Sequence, residues 1–72
     1  MVRFEEATLI FEGKVIEWLD TRTDYGEVQM NAIGEANGKI LRVTYTMRGQ
    51  VVRIITAWKA NQKDRQRWQT GN

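Results

Sequence analysis

The chain has 72 residues and a net charge of +2, and it contains neither Cys nor His. That length allows one domain, residues 1–72, and a domain this small buries only about 60% of the surface its unfolded chain exposes. Disulfides, thiolate metal sites and the commonest neutral-pH acid/base are excluded, so no metal and no cofactor is expected, and any catalysis must draw on Asp, Glu, Lys, Arg, Tyr or a hydroxyl.

Charge is unevenly placed. Residues 1–36 carry a net −5 and residues 37–72 a net +7. Such asymmetry points to a polyanion or an acidic protein as partner, or to two solvated faces that attract each other. No apolar run approaches the roughly 18 residues of a membrane helix, and no signal peptide is visible. A soluble, cytoplasmic protein with no membrane partner is expected.

The first element is a short helix over 4–11, with Phe4, Ala7, Thr8 and Phe11 on one face and Glu5 and Glu6 in the first turn. Gly13 ends it. Residues 14–19 alternate as a strand, and residues 20–26, "DTRTDYG", have the composition of a loop. Three strands in a meander follow, at about 27–36, 39–47 and 50–58. Asn37-Gly38 and Arg48-Gly49 suit the two-residue turns between them.

Two such turns set a register. It pairs Ala32 with Val43 and Val43 with Ile54, Met30 with Tyr45 and Tyr45 with Val52, and Gly34 with Leu41 and Leu41 with Thr56. One face then carries Val28, Met30, Ala32, Leu41, Val43, Tyr45, Val52 and Ile54, a core face. The other carries Gln29, Asn31, Arg42, Thr44, Thr46 and Arg53, with Ile33, Ile40, Val51 and Ile55 between them. Arg42 and Arg53 become diagonal neighbours able to share one anion. By the same parity Trp58 falls on the core face with Ile54. A final helix spans 60–69, with Asn61 as N-cap and Asp64 three residues on. The fold class is α+β: a short N-terminal helix, a four-stranded, mainly antiparallel sheet and a C-terminal helix.

The stretches "FEEA" (4–7), "DTRTDYGE" (20–27), "AIG" (32–34), "VTYTMRG" (43–49) and "RIITAWKAN" (53–61) resemble, in order and spacing, the BrnT toxins of bacterial type II toxin–antitoxin pairs. The resemblance covers essentially the whole chain. It implies a RelE-like ribonuclease fold that acts on RNA and slows translation, and a small antitoxin partner with a dimeric ribbon-helix-helix DNA-binding domain. It also implies that the complex represses its own promoter.

The chain departs from that family twice. Members usually carry a further strand and helix, rich in Asn and Lys, before the "FEEA" helix, and they usually have Arg where this chain has Trp58. The missing segment is expected to leave Ile16, Trp18 and Phe11 short of partners. An exposed patch of that kind points to a homodimer. A shortened, inactive relative that docks an antitoxin or itself is the alternative to the enzyme.

Cleavage of RNA by its own 2′-OH needs a base for the hydroxyl proton, a cation on the crowded phosphate and an acid for the leaving oxygen. Arginine suits the second task, because its fork holds phosphate in a bidentate way. Arg53 and Arg42 are the candidates for it, against strand arginines that snorkel or pair with a loop acid. Lys59 is the candidate base if neighbouring cations lower its pKa, or a solvated helix-start lysine. Asp24 and Glu27 flank Tyr25-Gly26 and orient an arginine, act as an acid/base, or simply set the loop that leads into the strand. Arg48 serves its turn or contacts a partner, and it joins Lys63, Arg65 and Arg67 as a candidate RNA contact. The basic helix read as plain solvated surface is the alternative.

Overall fold

The computed structural model of the chain describes residues 1–21 and 28–71. A turn of α-helix, α1 (Phe4–Ala7), runs into a 3₁₀ helix over Thr8–Glu12. Strands β1 (Val15–Leu19), β2 (Gln29–Ala36), β3 (Lys39–Arg48) and β4 (Val51–Lys59) form one antiparallel sheet in the order β1-β2-β3-β4. Helix α2 (Gln62–Thr70) closes the chain. The architecture is the expected α+β one, with the two helical segments on opposite faces of the sheet.

The leading helix tightens to three residues per turn, and that changes which side chains reach the core. At 3₁₀ spacing, positions three apart eclipse. Ala7 and Ile10 are therefore the fully buried pair, while Phe4 and Thr8 are exposed. The expected Phe4–Ala7–Thr8–Phe11 stripe belongs to a longer α-helix and does not form. Phe11 is half-buried and meets Tyr45 edge-on, with ring centroids 5.2 Å apart. Ile10 lies directly on Gly34. A Cβ added at Gly34 would sit 2.7 Å from the Ile10 Cβ and 3.3 Å from the Ile10 carbonyl oxygen. The glycine thus sets how closely the helix approaches β2.

The β2–β3 hairpin turns on Asn37 (φ 53°) and Gly38 (φ 78°), the paired positive φ angles of a type I′ turn. Its register is the expected one, with Ala32 opposite Val43, Met30 opposite Tyr45 and Gly34 opposite Leu41. The β3–β4 hairpin differs. Its central residues are Gly49 and Gln50, with Arg48 opposite Val51, and Gly49 alone takes a positive φ, 61°. A type II′ turn needs the positive φ only at its first central position, so glycine takes that place. An Arg48-Gly49 turn would have forced the arginine into it.

The pairing therefore slides by two residues, placing Tyr45 opposite Ile54 and Thr46 opposite Arg53. One step further on, Thr44 pairs with Thr56, so Ile55 is an extra residue in β4, a β-bulge. Beyond it every β4 side chain changes face. Ala57, not Ile54, stands opposite Val43, and Trp58 stands opposite Arg42. The expected Val43–Ile54, Tyr45–Val52 and Leu41–Thr56 pairs are all replaced.

The main core lies between the leading helix and the sheet and contains Ala7, Ile10, Ala32, Ala36, Leu41, Val43, Tyr45 and Ala57. The opposite face was expected to be polar, yet Ile33 there is fully buried and Ile16 is 8% exposed. Helix α2 lies against β2 on that side. The buried polar groups of this face are satisfied. The Thr44 hydroxyl donates to Asn31 Oδ1 at 2.7 Å, and the Thr46 hydroxyl donates to the Val28 carbonyl at 2.8 Å. Ile16, Trp18 and Phe11 consequently have cover. Among the exposed apolar side chains of the described residues, Leu19, Val28, Met47, Val51 and Val52 gather at the end of the sheet that holds the Gly49-Gln50 turn.

Burial, and a hydrogen bond from its hydroxyl to Glu17, push the Tyr45 phenol up to about 12. The folded pKa lies above the unfolded value of about 10, so the stabilisation is complete below pH 10 and is lost as pH rises toward 12. Alkaline denaturation should therefore begin above pH 10, and Tyr45→Phe should flatten it; denaturation midpoints measured from pH 8 to 12 test this. Separately, Gly34→Ala should cost about 1–3 kcal/mol through overpacking against Ile10. Chemical denaturation compared with Gly13→Ala, where the added methyl meets nothing within 4 Å, isolates that contact.

Candidate functional site

Arg42 lies on the α2 side of the sheet, near the end where β4 passes into α2. Its Nη1 is 3.5 Å from Asp64 Oδ1, and its guanidinium carbon is 5.5 Å from the centre of the Trp18 ring. Asp64 is held there by the start of α2. Asn61 Oδ1 accepts from the Asp64 N–H at 2.8 Å, and Asp64 Oδ2 accepts from the Asn61 N–H at 3.2 Å. This capping box satisfies two of the helix's orphan donors. The same carboxylate thus caps α2 and faces Arg42.

Two hollows share this ion pair as a wall. A cleft of about 250 Å³ is lined by Arg42, Thr44, Thr56, Trp58, Lys59, Asn61 and Asp64. A second, of about 300 Å³, is lined by Trp18, Arg42, Asn61, Lys63, Asp64 and Arg67. Arg67 lies over Trp18 with its guanidinium carbon 3.9 Å from the ring centre, and Lys14 Nζ lies 5.5 Å from the Trp68 ring centre. Cation–π contacts of this kind fasten α2 to β1 and to the turn before it. Arg42 pairs with the one carboxylate, Lys63 and Arg67 line the second hollow with it, and Lys59 borders the first. The arrangement suits a phosphate, because the Arg42 fork has five N–H donors and the described residues place one carboxylate on it.

The structure separates the candidate residues into three groups. Arg42, Lys63 and Arg67 stand together around the hollows. Arg53 shares Arg42's face but is opposite Thr46, four residues along β3 from Arg42. At strand rise that is about 13 Å, so the two arginines are not diagonal neighbours and do not share one anion. Arg48 is on the same face at the far end, opposite Val51. Arg65 is exposed on α2 and lines neither hollow.

Lys59, the candidate base, lies off the arginine face. It stands opposite Leu41, on the face that carries α1, and reaches the cleft only at its rim. On the α1 side an Asn37 hydrogen bond, then Lys39 and Lys59, hold the Glu6 carboxyl below its usual range. Asp24, Tyr25, Gly26 and Glu27 lie outside the described residues.

Trp58 and Asp64 gained roles that the periodicity did not show. The bulge turns Trp58 out of the core, leaving it 53% exposed beside Arg42. Asp64 is 7% exposed and is the sole acid in residues 37–72, a sequence signal that could have marked it.

A family model described as the ribonuclease toxin BrnT of type II toxin–antitoxin systems matches residues 1–64. The chain belongs to the BrnT family. An antitoxin partner follows from membership of such a system. The match spans α1, the whole sheet and the start of α2, so Arg42, Trp58, Asn61 and Asp64 all lie inside it. No curated protein and no solved structure matches this BrnT-family chain. No helix among the described residues is long and apolar enough to cross a membrane.

The shared role of Asp64 makes a stability prediction. Asn61→Ala removes one cap bond and should cost about 0.5–2 kcal/mol. Asp64→Ala should cost more, because it also leaves the half-buried Arg42 without its carboxylate. Urea denaturation of both variants, with equal or reversed losses as the failing result, checks the double role.

Proposed function

We propose that this BrnT-family chain is a ribonuclease that cleaves RNA at the Arg42 cleft and thereby slows translation. The observation that carries this reading is Arg42 itself. Its guanidinium is half-buried, braced by Trp18 and Asp64, and it faces a cleft on the basic side of the sheet. A preorganised cation of this kind stabilises the extra charge that a phosphate gains as the neighbouring 2′-OH attacks it. An arriving phosphate competes with Asp64 for the guanidinium and frees the carboxylate beside the reacting hydroxyl, a position from which it can accept the proton as the 2′-oxygen bonds to phosphorus. The P–O5′ bond breaks, and the leaving 5′-oxygen takes a proton from solvent. Arg53 and Arg48 extend the cationic face toward the far end of the sheet, and Lys63 and Arg67 extend it over α2. In this reading they hold the backbone on either side of the scissile phosphate. The neutralising partner is a ribbon-helix-helix antitoxin, and the pair represses its own promoter.

A second reading is favoured by the exposed apolar end of the sheet, Leu19, Val28, Met47, Val51 and Val52. There the chain is an inactive module that docks the antitoxin or a second copy of itself. Expression in bacteria separates the two. Wild type should arrest growth, and Arg42→Ala should release the arrest and lower RNA cleavage in vitro by roughly 10²–10³-fold. Arg53→Ala, about 13 Å away along the strand, should weaken RNA binding with a smaller effect on the cleavage step. A folded wild-type product that arrests nothing and cuts no RNA selects the docking module.

A further inference from the structure

We propose that Trp58 is the base-stacking platform of the cleft: one RNA base lies on its exposed ring while the adjoining phosphate is held by Arg42. The proposal rests on the RNA-cleaving reading above and adds to it the residue that seats the nucleotide.

Four observations converge on this ring. The Ile55 bulge moves Trp58 from the core face to the face of Arg42, and Ala57 fills the core position opposite Val43. Trp58 is then directly across the β3–β4 ladder from Arg42, where Cβ atoms stand about 4.5–5.5 Å apart. A base on the ring therefore brings its phosphate within reach of the guanidinium.

The chain has three tryptophans, and the other two are already engaged. Arg67 and Arg42 lie over Trp18, and Lys14 lies over Trp68. Among the described residues no cation covers Trp58, which is 53% exposed. An aromatic face left open beside a phosphate-binding arginine is the arrangement with which proteins hold single strands. Thr56 and Asn61, on the same cleft wall, offer a hydroxyl and an amide to the edge of a base seated there.

A protein side chain from a partner is the competing occupant, because Trp58 also borders a hollow of about 350 Å³ with Met1, Val2 and Lys59. The polar and cationic lining on the Arg42 side favours the nucleotide. A base needs the flat ring, a phosphate and hydrogen-bonding groups together, and the cleft supplies all three.

The test is binding of a short single-stranded RNA, 2′-O-methylated so that it cannot be cleaved, to wild type, Trp58→Ala, Trp58→Phe and Arg42→Ala over a range of salt. Thermal melting checks that each variant folds. Trp58→Ala should weaken binding by roughly 5- to 150-fold, the range base–aromatic stacking is worth, and Trp58→Phe should restore most of it. The salt slope should stay at the wild-type value in Trp58→Ala and fall by about 0.7 in Arg42→Ala. Wild-type binding with Trp58→Ala equal to it overturns the stacking role alone. Trp58→Ala that keeps RNA affinity but loses the antitoxin assigns the ring to a protein contact and also overturns it. A wild type that binds no RNA overturns the functional reading together with this one.

Discussion

Between Tyr45 and Thr44 the β3–β4 ladder absorbs one extra residue, Ile55, and the side chains beyond it exchange faces. Side chains alternate along a strand with period two, so a single inserted residue has the same effect as a one-residue slip applied to half the strand. Before the bulge, Ile54 faces the core and Arg53 faces away. After it, Ala57 enters the core while Thr56 and Trp58 line the cleft with Arg42. One strand can thus serve the apolar core at both of its ends and still give the α2 side of the sheet a polar, aromatic wall.

Helix α2 depends on that wall. It has nine residues, shorter than the roughly 12–15 at which isolated helices become even marginal in water. Its one buried residue is a carboxylate, Asp64, so it does not dock through an apolar stripe. What holds it is the capping box at one end, the Arg42–Asp64 pair, and two cation–π contacts that interleave Trp18 with Arg67 and Trp68 with Lys14. Gly71, in the left-handed region at φ 78°, returns its N–H to the Arg67 and Trp68 carbonyls and ends the helix. Cations that a composition count assigns to solvent are therefore structural as well as candidate ligands.

This doubling of roles suits the proposed binding of a polyanion by so small a domain. With little core to spare, the chain holds its C-terminal helix with the same charges and rings that a phosphate and a base would engage. Arg42 is the clearest case, since its guanidinium meets a carboxylate in the folded chain and presents its remaining donors to the cleft. The opposite face is conventional by contrast, with Ile10 and Gly34 packed so closely that one missing Cβ sets the spacing.

The order and type of the elements, the Asn37-Gly38 hairpin with its register and the capping of α2 by Asn61 and Asp64 were all legible in the sequence. Each rests on local chemistry: alternation, a turn type with a demanding φ pair, or a side chain three residues from its acceptor. Membership of the BrnT family was legible as well, from short motifs in fixed order.

The α2 side of the sheet was not legible, because its geometry depends on non-local choices. The Gly49-Gln50 turn was preferred over Arg48-Gly49 through the sign of a single φ angle, and the bulge at Ile55 left no compositional mark. Those two events separated Arg53 from Arg42, sent Lys59 to the α1 face and exposed Trp58. Sequence alone determined which residues could bind a phosphate or a base. Only the tertiary structure decided which of them meet, because pairing register and strand parity are properties of the assembled sheet.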